Sequence, residues 1–252
     1  AEGDVLQDYT LFDGKMAAKL LRQETIAREM REFLSQSAAD TMYLVYQPKT
    51  DLKSNRIVGF EALARMNSPS LGAVSPVEFI KIAERQDLII PLGDWVLETA
   101  CRFLKQMTAA GYSDLHVAVN ISGIQLLHER FADRVNEIIN QMGIKPHNLE
   151  LEITESVLIE RFSEVKKTLE TLREMGIKIT IDDFGTGYSS LARMESLPID
   201  SIKIDKYFVD SILANEGRRP IIRDLISMVH NLGLEVVAEG VEQELQRSCL
   251  VE

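Results

Sequence analysis

Short apolar runs of β-prone residues alternate along this chain with stretches in which apolar residues have helical spacing. Seven short runs rich in Val, Ile and Leu have the length and the flanking turn residues of strands. These runs are MYLVYQP, IVGFEALAR, VAVNIS, LELEIT, KITIDDF, SIKID and EVVAEG. Helical spacing appears between them in PVEFIKIAERQ, DWVLETACRFLKQM, FADRVNEIINQM, EVKKTLETLREM and RPIIRDLISMVHNL. The alternation predicts a parallel sheet with helices outside it, either a closed barrel or an open doubly wound sheet.

Two features of the strand-like runs favour the barrel. No Gly-rich phosphate loop follows the first run, which argues against a dinucleotide-binding fold. Polar residues instead recur at the ends of many runs, as expected at the carboxyl-terminal mouth of a barrel. Only TDLKSNR joins the first two runs, and this hairpin length makes that pair of strands antiparallel. We therefore predict an α/β fold, a TIM-like (β/α)8 barrel with one antiparallel strand.

The two ends of the sequence depart from a simple barrel. An eightfold barrel needs one more strand than the seven runs supply, and the sequence stops at VEQELQRSCLVE, inside the helix expected after the last run. The last β/α unit is therefore expected to be missing from this chain. At the other end, Asp13 to Ser37 has helical spacing and no Pro, which predicts one long amphipathic helix. We divide the chain into a connecting segment, residues 1–38, and a barrel domain, residues 39–252.

Composition narrows the class of partner. With 45% hydrophobic and 27% charged residues, the 252-residue chain can bury a substantial core. A net charge of −11 argues against binding a nucleic acid polymer, whereas a small phosphorylated ligand remains compatible with acids that hold a metal ion. No apolar run is long enough to cross a bilayer, so we expect a soluble domain without direct membrane contact. Cys101 and Cys249 lack the spacing of a zinc site. We expect the domain to lie in the cytoplasm, and a membrane anchor elsewhere in the parent protein is compatible with that location.

Polar groups stand at or near the end of every run from the second onward. They are Glu61, Asn120, Glu152, Asp182, Asp183, Lys203, Asp205 and Glu239. Any one acid taken alone is explained as a cap on the following helix. Carboxylates that converge at one barrel mouth would repel each other unless a cation neutralised them. Oxygen ligands without Cys or His suit hard cations such as Mg²⁺, Mn²⁺ or Ca²⁺.

This residue set predicts phosphodiester chemistry. Adjacent Asp182 and Asp183 could serve two ions, and two ions a few ångströms apart stabilise the attacking and leaving oxygens of an in-line displacement at phosphorus. Lys203 would then lie close to the nucleophilic water. Its alternative role is a structural ion pair with Asp205.

Three further positions near these strands have more than one interpretation. The loop FGTGYSSL after Asp183 is a candidate mobile lid or a generic turn that caps the next helix. Glu155 could cap a helix or hold that loop. Arg65 is a candidate phosphate contact or a surface arginine.

The ordered series FEALAR, VNISGIQL, LELEITES, IDDFGTGYSSL, IKIDKYFV and VVAEGVE resembles the EAL-domain family, bacterial phosphodiesterases that hydrolyse cyclic di-GMP. The resemblance extends from about Thr41 to the C-terminus. It implies a β/α barrel with one antiparallel strand and cleavage of the cyclic dinucleotide to linear pGpG. It also implies two Mg²⁺ or Mn²⁺ ions per site, inhibition by Ca²⁺, and frequent homodimers.

The resemblance also assigns roles to individual residues. The implied metal ligands are Glu61, Asn120, Glu152, Asp182 and Asp183. Lys203 matches the active-site lysine and Glu239 the proposed general base, so we count Glu61, Lys203 and Glu239 as catalytic. Arg65 and Gln47 match substrate contacts. Glu155 matches the residue that anchors the Asp-Phe-Gly loop, and we place Asp205 and Glu242 with it as supporting positions.

Two features of the sequence differ from the family pattern, and the first segment carries a further resemblance. Met66 stands where an aromatic residue commonly follows the arginine, and the final strand with its Gln-Gly-Tyr motif is absent from this chain. The first segment, YTLFDGKMAAKLLRQETIAREMREFL, resembles the tail that follows a GGDEF domain, so we expect a larger parent protein with a GGDEF-like domain upstream. The main alternative to an enzyme is a cyclic di-GMP receptor with weak or no turnover. An unrelated acid-rich metal barrel of the enolase type is a third interpretation.

Overall fold

The computed structural model describes residues 14–35, 41–185, 196–214 and 221–251. The strands are β1 (Met42–Asp51), β2 (Arg56–Ser68), β3 (Gly72–Val74), β4 (His116–Ile121), β5 (Leu149–Thr154), β6 (Lys178–Phe184), β7 (Ser201–Ile204) and β8 (Glu235–Ala238). The helices are α1 (Gly14–Leu34), α2 (Pro76–Arg85), α3 (Ile89–Ala109), α4 (Gly123–Leu126), α5 (Phe131–Met142), α6 (Glu155–Glu160), α7 (Phe162–Glu174), α8 (Lys206–Ala214), α9 (Ile221–Asn231) and α10 (Glu244–Val251). All seven predicted strands are present. The short β3 was not predicted, because three residues are too few for a periodic pattern.

The described residues fall into two compact units. The smaller unit contains the described part of Ala1–Tyr43 together with Arg65–Leu88. In this unit α1 packs on α2, and the Arg22 guanidinium donates to both carboxylate oxygens of Glu78 at 2.7 and 2.8 Å. The end of β2 pairs with β3 in antiparallel fashion, with Met66 opposite Val74. The helix predicted near the N-terminus therefore exists and contacts neighbouring residues of the same unit.

The larger unit contains Leu44–Ala64 and the described part of Ile89–Glu252, and it holds the main sheet. The strand order is β1-β2-β4-β5-β6-β7-β8, and every pair from β2 to β8 is parallel. Leu52 to Asn55 join β1 to its neighbour β2, and so short a connection requires antiparallel strands. The turn is closed by the Asn55 N–H, which donates to the Asp51 carbonyl at 2.8 Å. The predicted α/β sheet of mostly parallel strands with β1 antiparallel is confirmed, and the short β3 is a further antiparallel strand that was not predicted.

Strand alternation separates an apolar face from a polar face. On β5, Leu149, Leu151 and Ile153 are fully buried on one face, so Glu150 and Glu152 lie on the other. The register between neighbouring strands then brings polar residues to the same height, with Asn120 opposite Glu152 and Thr154 opposite Asp182. The polar strand ends predicted from the sequence therefore converge on one face of the sheet.

None of the helices in the described ranges combines the length and the apolar character needed to cross a membrane.

Candidate active site

The centre of the polar face is Lys203 on β7, whose side chain is only 2% exposed. Its ammonium nitrogen contacts carboxylates from four other places in the chain. The distances from Nζ are 3.2 Å to Glu61 Oε2, 2.8 Å to Glu152 Oε2, 3.2 Å to Asp182 Oδ2 and 2.8 Å to Glu239 Oε1. The predicted site residues of β2, β5, β6, β7 and the segment after β8 are therefore brought together. The ion-pair partners of Lys203 are thus these four carboxylates, whereas Asp205, its alternative partner, accepts a hydrogen bond from the Tyr207 N–H at 2.7 Å at the start of α8.

The surrounding charges determine the protonation of Lys203. Burial lowers the pKa of this ammonium, but the carboxylates of Glu152, Asp182 and Glu61 outweigh burial and raise the pKa above its ordinary value. Lys203 is therefore a permanent cation in this environment. At Glu152 burial is the larger effect, and it raises the pKa to about 7 despite the nearby charges of Lys49 and Lys203.

Among the described residues, Asp182, Asp183 and Glu239 form a compact acidic group. One carboxylate oxygen from each lies within 4.8 Å of the others. Asp183 has a left-handed backbone conformation, with φ of 56°, at an irregularity in the pairing of β6 with β7. This conformation lets the two adjacent aspartates face the same region, and the Asp183 N–H donates to Asp182 Oδ1 at 2.9 Å. Burial, and then the charge of Glu239, raise the pKa of both aspartates.

Glu61 and Asn120 complete the ring around Lys203, since Glu61 contacts Lys203 and Asn120 contacts Glu61. The Asn120 amide donates to Glu61 Oε1 at 2.8 Å. Burial raises the pKa of Glu61, but the charge of Lys203 and the hydrogen bond from Asn120 outweigh it and lower the pKa below its ordinary value. Glu61 is therefore ionised at neutral pH and presents one carboxylate to two partners.

The residues of this ring fit a hard divalent cation. The donors are carboxylate and amide oxygens, without Cys or His, which matches the preference of Mg²⁺ and Mn²⁺. Burial raises the pKa of Asp182 and Asp183, the charge of Glu239 raises it further, and a divalent cation between these acids would offset both effects. The residues that could hold such a cation, by the sequence prediction, are Glu61, Asn120, Glu152, Asp182 and Asp183.

The supporting positions lie around this ring. Glu155 Oε2 accepts a hydrogen bond from the Gly185 N–H at 3.0 Å, directly after the Asp-Asp-Phe segment. The FGTGYSSL loop lies outside the described residues from 186 onward. Glu242 accepts a hydrogen bond from the Lys206 ammonium at 2.7 Å on an exposed surface.

The two predicted substrate contacts lie in different units. Gln47 is exposed on β1 in the larger unit, and Arg65 belongs to the smaller unit. Their roles in substrate binding stay predictions.

Sequence reasoning missed a second polar layer on the same face. Glu150, two residues before Glu152 on β5, contacts Lys49, His116 and Thr180. The alternation of LELEIT was the available signal, because it places Glu150 on the same face as Glu152. Lys49 follows the YQP motif directly but had no recognisable partner in the sequence.

Comparisons with known proteins agree with this geometry. Residues 28–252 match the EAL domain family. The cyclic di-GMP phosphodiesterase NbdA of Pseudomonas aeruginosa is 40% identical over 235 residues, which are 93% of this chain and 30% of NbdA. The bifunctional diguanylate cyclase/cyclic di-GMP phosphodiesterase MucR of the same organism is 35% identical over 242 residues, 96% of this chain and 35% of MucR. This chain spans about a third of the length of such curated relatives.

A solved structure extends the similarity to three dimensions. The PaMucR phosphodiesterase in its c-di-GMP complex superposes with a TM-score of 0.82 at 35% identity, covering 90% of both chains. The six motifs, the sheet order and the family match over residues 28–252 agree with one another. The chain therefore belongs to the EAL-domain family.

Proposed function

We propose that this chain hydrolyses cyclic di-GMP to linear pGpG with the help of two Mg²⁺ or Mn²⁺ ions. The observation that supports this most strongly is the ring of four carboxylates around Lys203, together with the acidic group of Asp182, Asp183 and Glu239. Family membership supports the proposed reaction, since relatives in this family are named as cyclic di-GMP phosphodiesterases.

The reaction needs one water molecule and no other co-reactant. Bound ions would supply Lewis acidity to the phosphodiester and lower the pKa of water. Glu239 accepts the proton that the attacking water loses, since its carboxylate lies within 4.8 Å of the carboxylates of Asp182 and Asp183. The water oxygen forms the new bond to phosphorus, the bond from phosphorus to the 3′ oxygen breaks, and that oxygen takes a proton from solvent.

Lys203 serves this reaction as a fixed cation. Its Nζ lies between the carboxylates of Glu152 and Glu239 at 2.8 Å from each. A charge held there orients a neighbouring water and offsets negative charge that develops on the phosphoryl oxygens. Because the side chain is buried, its position requires little reorganisation during the reaction.

Metal removal tests this proposal. We expect the 252-residue chain to convert cyclic di-GMP to the linear dinucleotide in Mg²⁺ or Mn²⁺, measured by chromatography and mass spectrometry of the product. Chelation with EDTA should abolish product formation, and added Mn²⁺ should restore it. Ca²⁺ should inhibit, because it takes more oxygen ligands at longer distances than Mg²⁺. Tight binding of cyclic di-GMP without product in both active metals would instead establish a receptor.

The proposal also covers the larger protein of which this chain is a part. Because the chain covers about a third of relatives such as MucR, a bifunctional diguanylate cyclase/phosphodiesterase, we propose that a GGDEF-like domain precedes it in a larger protein. The proposal includes a homodimer and a cytoplasmic location for this domain, with the connecting segment at residues 1–38. Regulation by the upstream domain would act through α1, the helix that lies in that segment.

A further inference from the structure

A second layer of polar side chains lies directly beneath the metal-binding ring, toward the amino-terminal ends of the parallel strands. We define this lower layer as Lys49, His116, Glu150 and Thr180. Its centre is the Glu150 carboxylate, which is 5% exposed. Glu150 Oε1 accepts from Lys49 Nζ at 2.9 Å and from the Thr180 hydroxyl at 2.6 Å, and Oε2 lies 3.1 Å from His116 Nε2. Both oxygens of Glu150 are therefore fixed in position.

Lys49 connects the lower layer to the ring. Its Nζ lies 2.9 Å from Glu150 Oε1 and 2.7 Å from Glu152 Oε1. The other oxygen of Glu152 contacts Lys203 at 2.8 Å. Each oxygen of this buried carboxylate thus has its own ammonium partner, one from each layer. Glu152 cannot rotate without breaking one of the two ion pairs.

The backbone next to the lower layer accommodates this arrangement. Gly59 on β2 lies opposite His116 in the register of β2 and β4. A Cβ atom at position 59 would lie 2.6 Å from the His116 ring, so glycine is required for the imidazole to occupy its place beside Glu150. The position of Glu150 is thus fixed from β1, β4 and β6 together.

We propose that Lys49 is a positioning residue, which uses Glu150 as a fixed anchor to hold the Glu152 carboxylate in the orientation that divalent metal binding requires. This inference rests on the proposed function and deepens it. Partners that orient a metal-ligating side chain without touching the metal typically change metal affinity or activity about 10-fold to 100-fold when they are removed. Lys49 is such an orienting partner of Glu152. The residues of the lower layer are not among the site residues that the sequence motifs identified.

A simpler role for Lys49 is to neutralise Glu150. The two roles differ in what happens when both charges are removed together. If Lys49 only neutralises Glu150, then replacing Glu150 by Gln should make Lys49 dispensable. If Lys49 positions Glu152, the loss should persist in the double variant, because Glu152 still lacks its second ammonium partner.

The test measures Mn²⁺ affinity of the purified chain by electron paramagnetic resonance of the free ion. Variants are Lys49→Met, Lys49→Met with Glu150→Gln, and the control Lys53→Met on the exposed β1–β2 turn. We expect the dissociation constant for Mn²⁺ to rise at least about tenfold in both Lys49 variants and to stay unchanged in the control. The double variant loses one positive and one negative charge together, so it distinguishes the two roles of Lys49 even if Lys49→Met fails to fold. Circular dichroism checks the fold of each.

Two results would contradict the inference, and they are distinguishable. Mn²⁺ affinity at the wild-type level in the folded double variant would leave Lys49 as a neutralising partner of Glu150 only. A wild-type chain that neither binds Mn²⁺ nor hydrolyses cyclic di-GMP would overturn the proposed function itself, and the inference with it.

Discussion

Replacement of Glu61 by glutamine is expected to lower turnover of cyclic di-GMP about a thousandfold, a loss of about 4 kcal/mol of transition-state stabilisation. Glu61 accepts from Asn120 through one oxygen and contacts Lys203 through the other. Glutamine keeps the shape and one acceptor oxygen, so the fold should survive. The side chain loses the negative charge that a divalent cation needs from its ligand. We expect metal affinity and turnover to fall together.

The matched control for this variant is Glu137→Gln on the exposed face of α5, where the carboxylate pairs with Arg130 and Arg134. Steady-state hydrolysis with saturating Mn²⁺ and the unfolding midpoint in urea are measured for both variants. The control should retain wild-type turnover. A Glu61→Gln variant that hydrolyses cyclic di-GMP at a near-normal rate would remove Glu61 from the metal site.

The second large effect is expected at Lys203. Substitution by methionine should lower turnover at least about a hundredfold, the effect of removing one preorganised charge at a reacting centre. Metal affinity should persist, because the four carboxylates remain and the competing ammonium is gone. Lys203→Met should therefore lower turnover without lowering Mn²⁺ affinity, whereas Glu61→Gln should lower both.

The free energy of unfolding gives an independent test of Lys203→Met. Removal of one partner from a buried charge cluster costs about 3 to 5 kcal/mol, so Lys203→Met should lower the free energy of unfolding in EDTA. Mn²⁺ should restore much of it, because the ion replaces the lost cation among the acids. Lys206→Met is the matched control, since Lys206 is exposed and pairs with Glu242 and Asp210. Equal losses of Mn²⁺ affinity and turnover at Lys203 would assign that residue a structural role.

Much of the fold and of the ring could be predicted from the sequence. Short apolar β-prone runs bounded by turn residues predicted the strands, and the short connection before β2 indicated the antiparallel pair. Parallel strands end at one edge of a sheet, so polar residues at their ends had to approach each other. Glu61, Glu152 and Asp182 are brought together for this reason.

The pairing of individual side chains was not available from the sequence. Lys203 was given Asp205 as its alternative partner because the two are near in the chain, yet its contacts come from four other segments. The left-handed conformation of Asp183 was equally hidden, since only the backbone shows it. Lys49 and Glu150 were missed because their contact joins positions 101 residues apart.

The most direct measurement of the central claim is a single turnover of cyclic di-GMP by the 252-residue chain in water enriched in ¹⁸O, with Mn²⁺ present. A water that attacks phosphorus leaves its oxygen in the new 5′-phosphate. We predict one ¹⁸O atom in the phosphate of linear pGpG and none in the EDTA control. Intact, unlabelled cyclic di-GMP recovered from a chain that has bound both nucleotide and Mn²⁺ would contradict the claim that this ring of acids hydrolyses the phosphodiester.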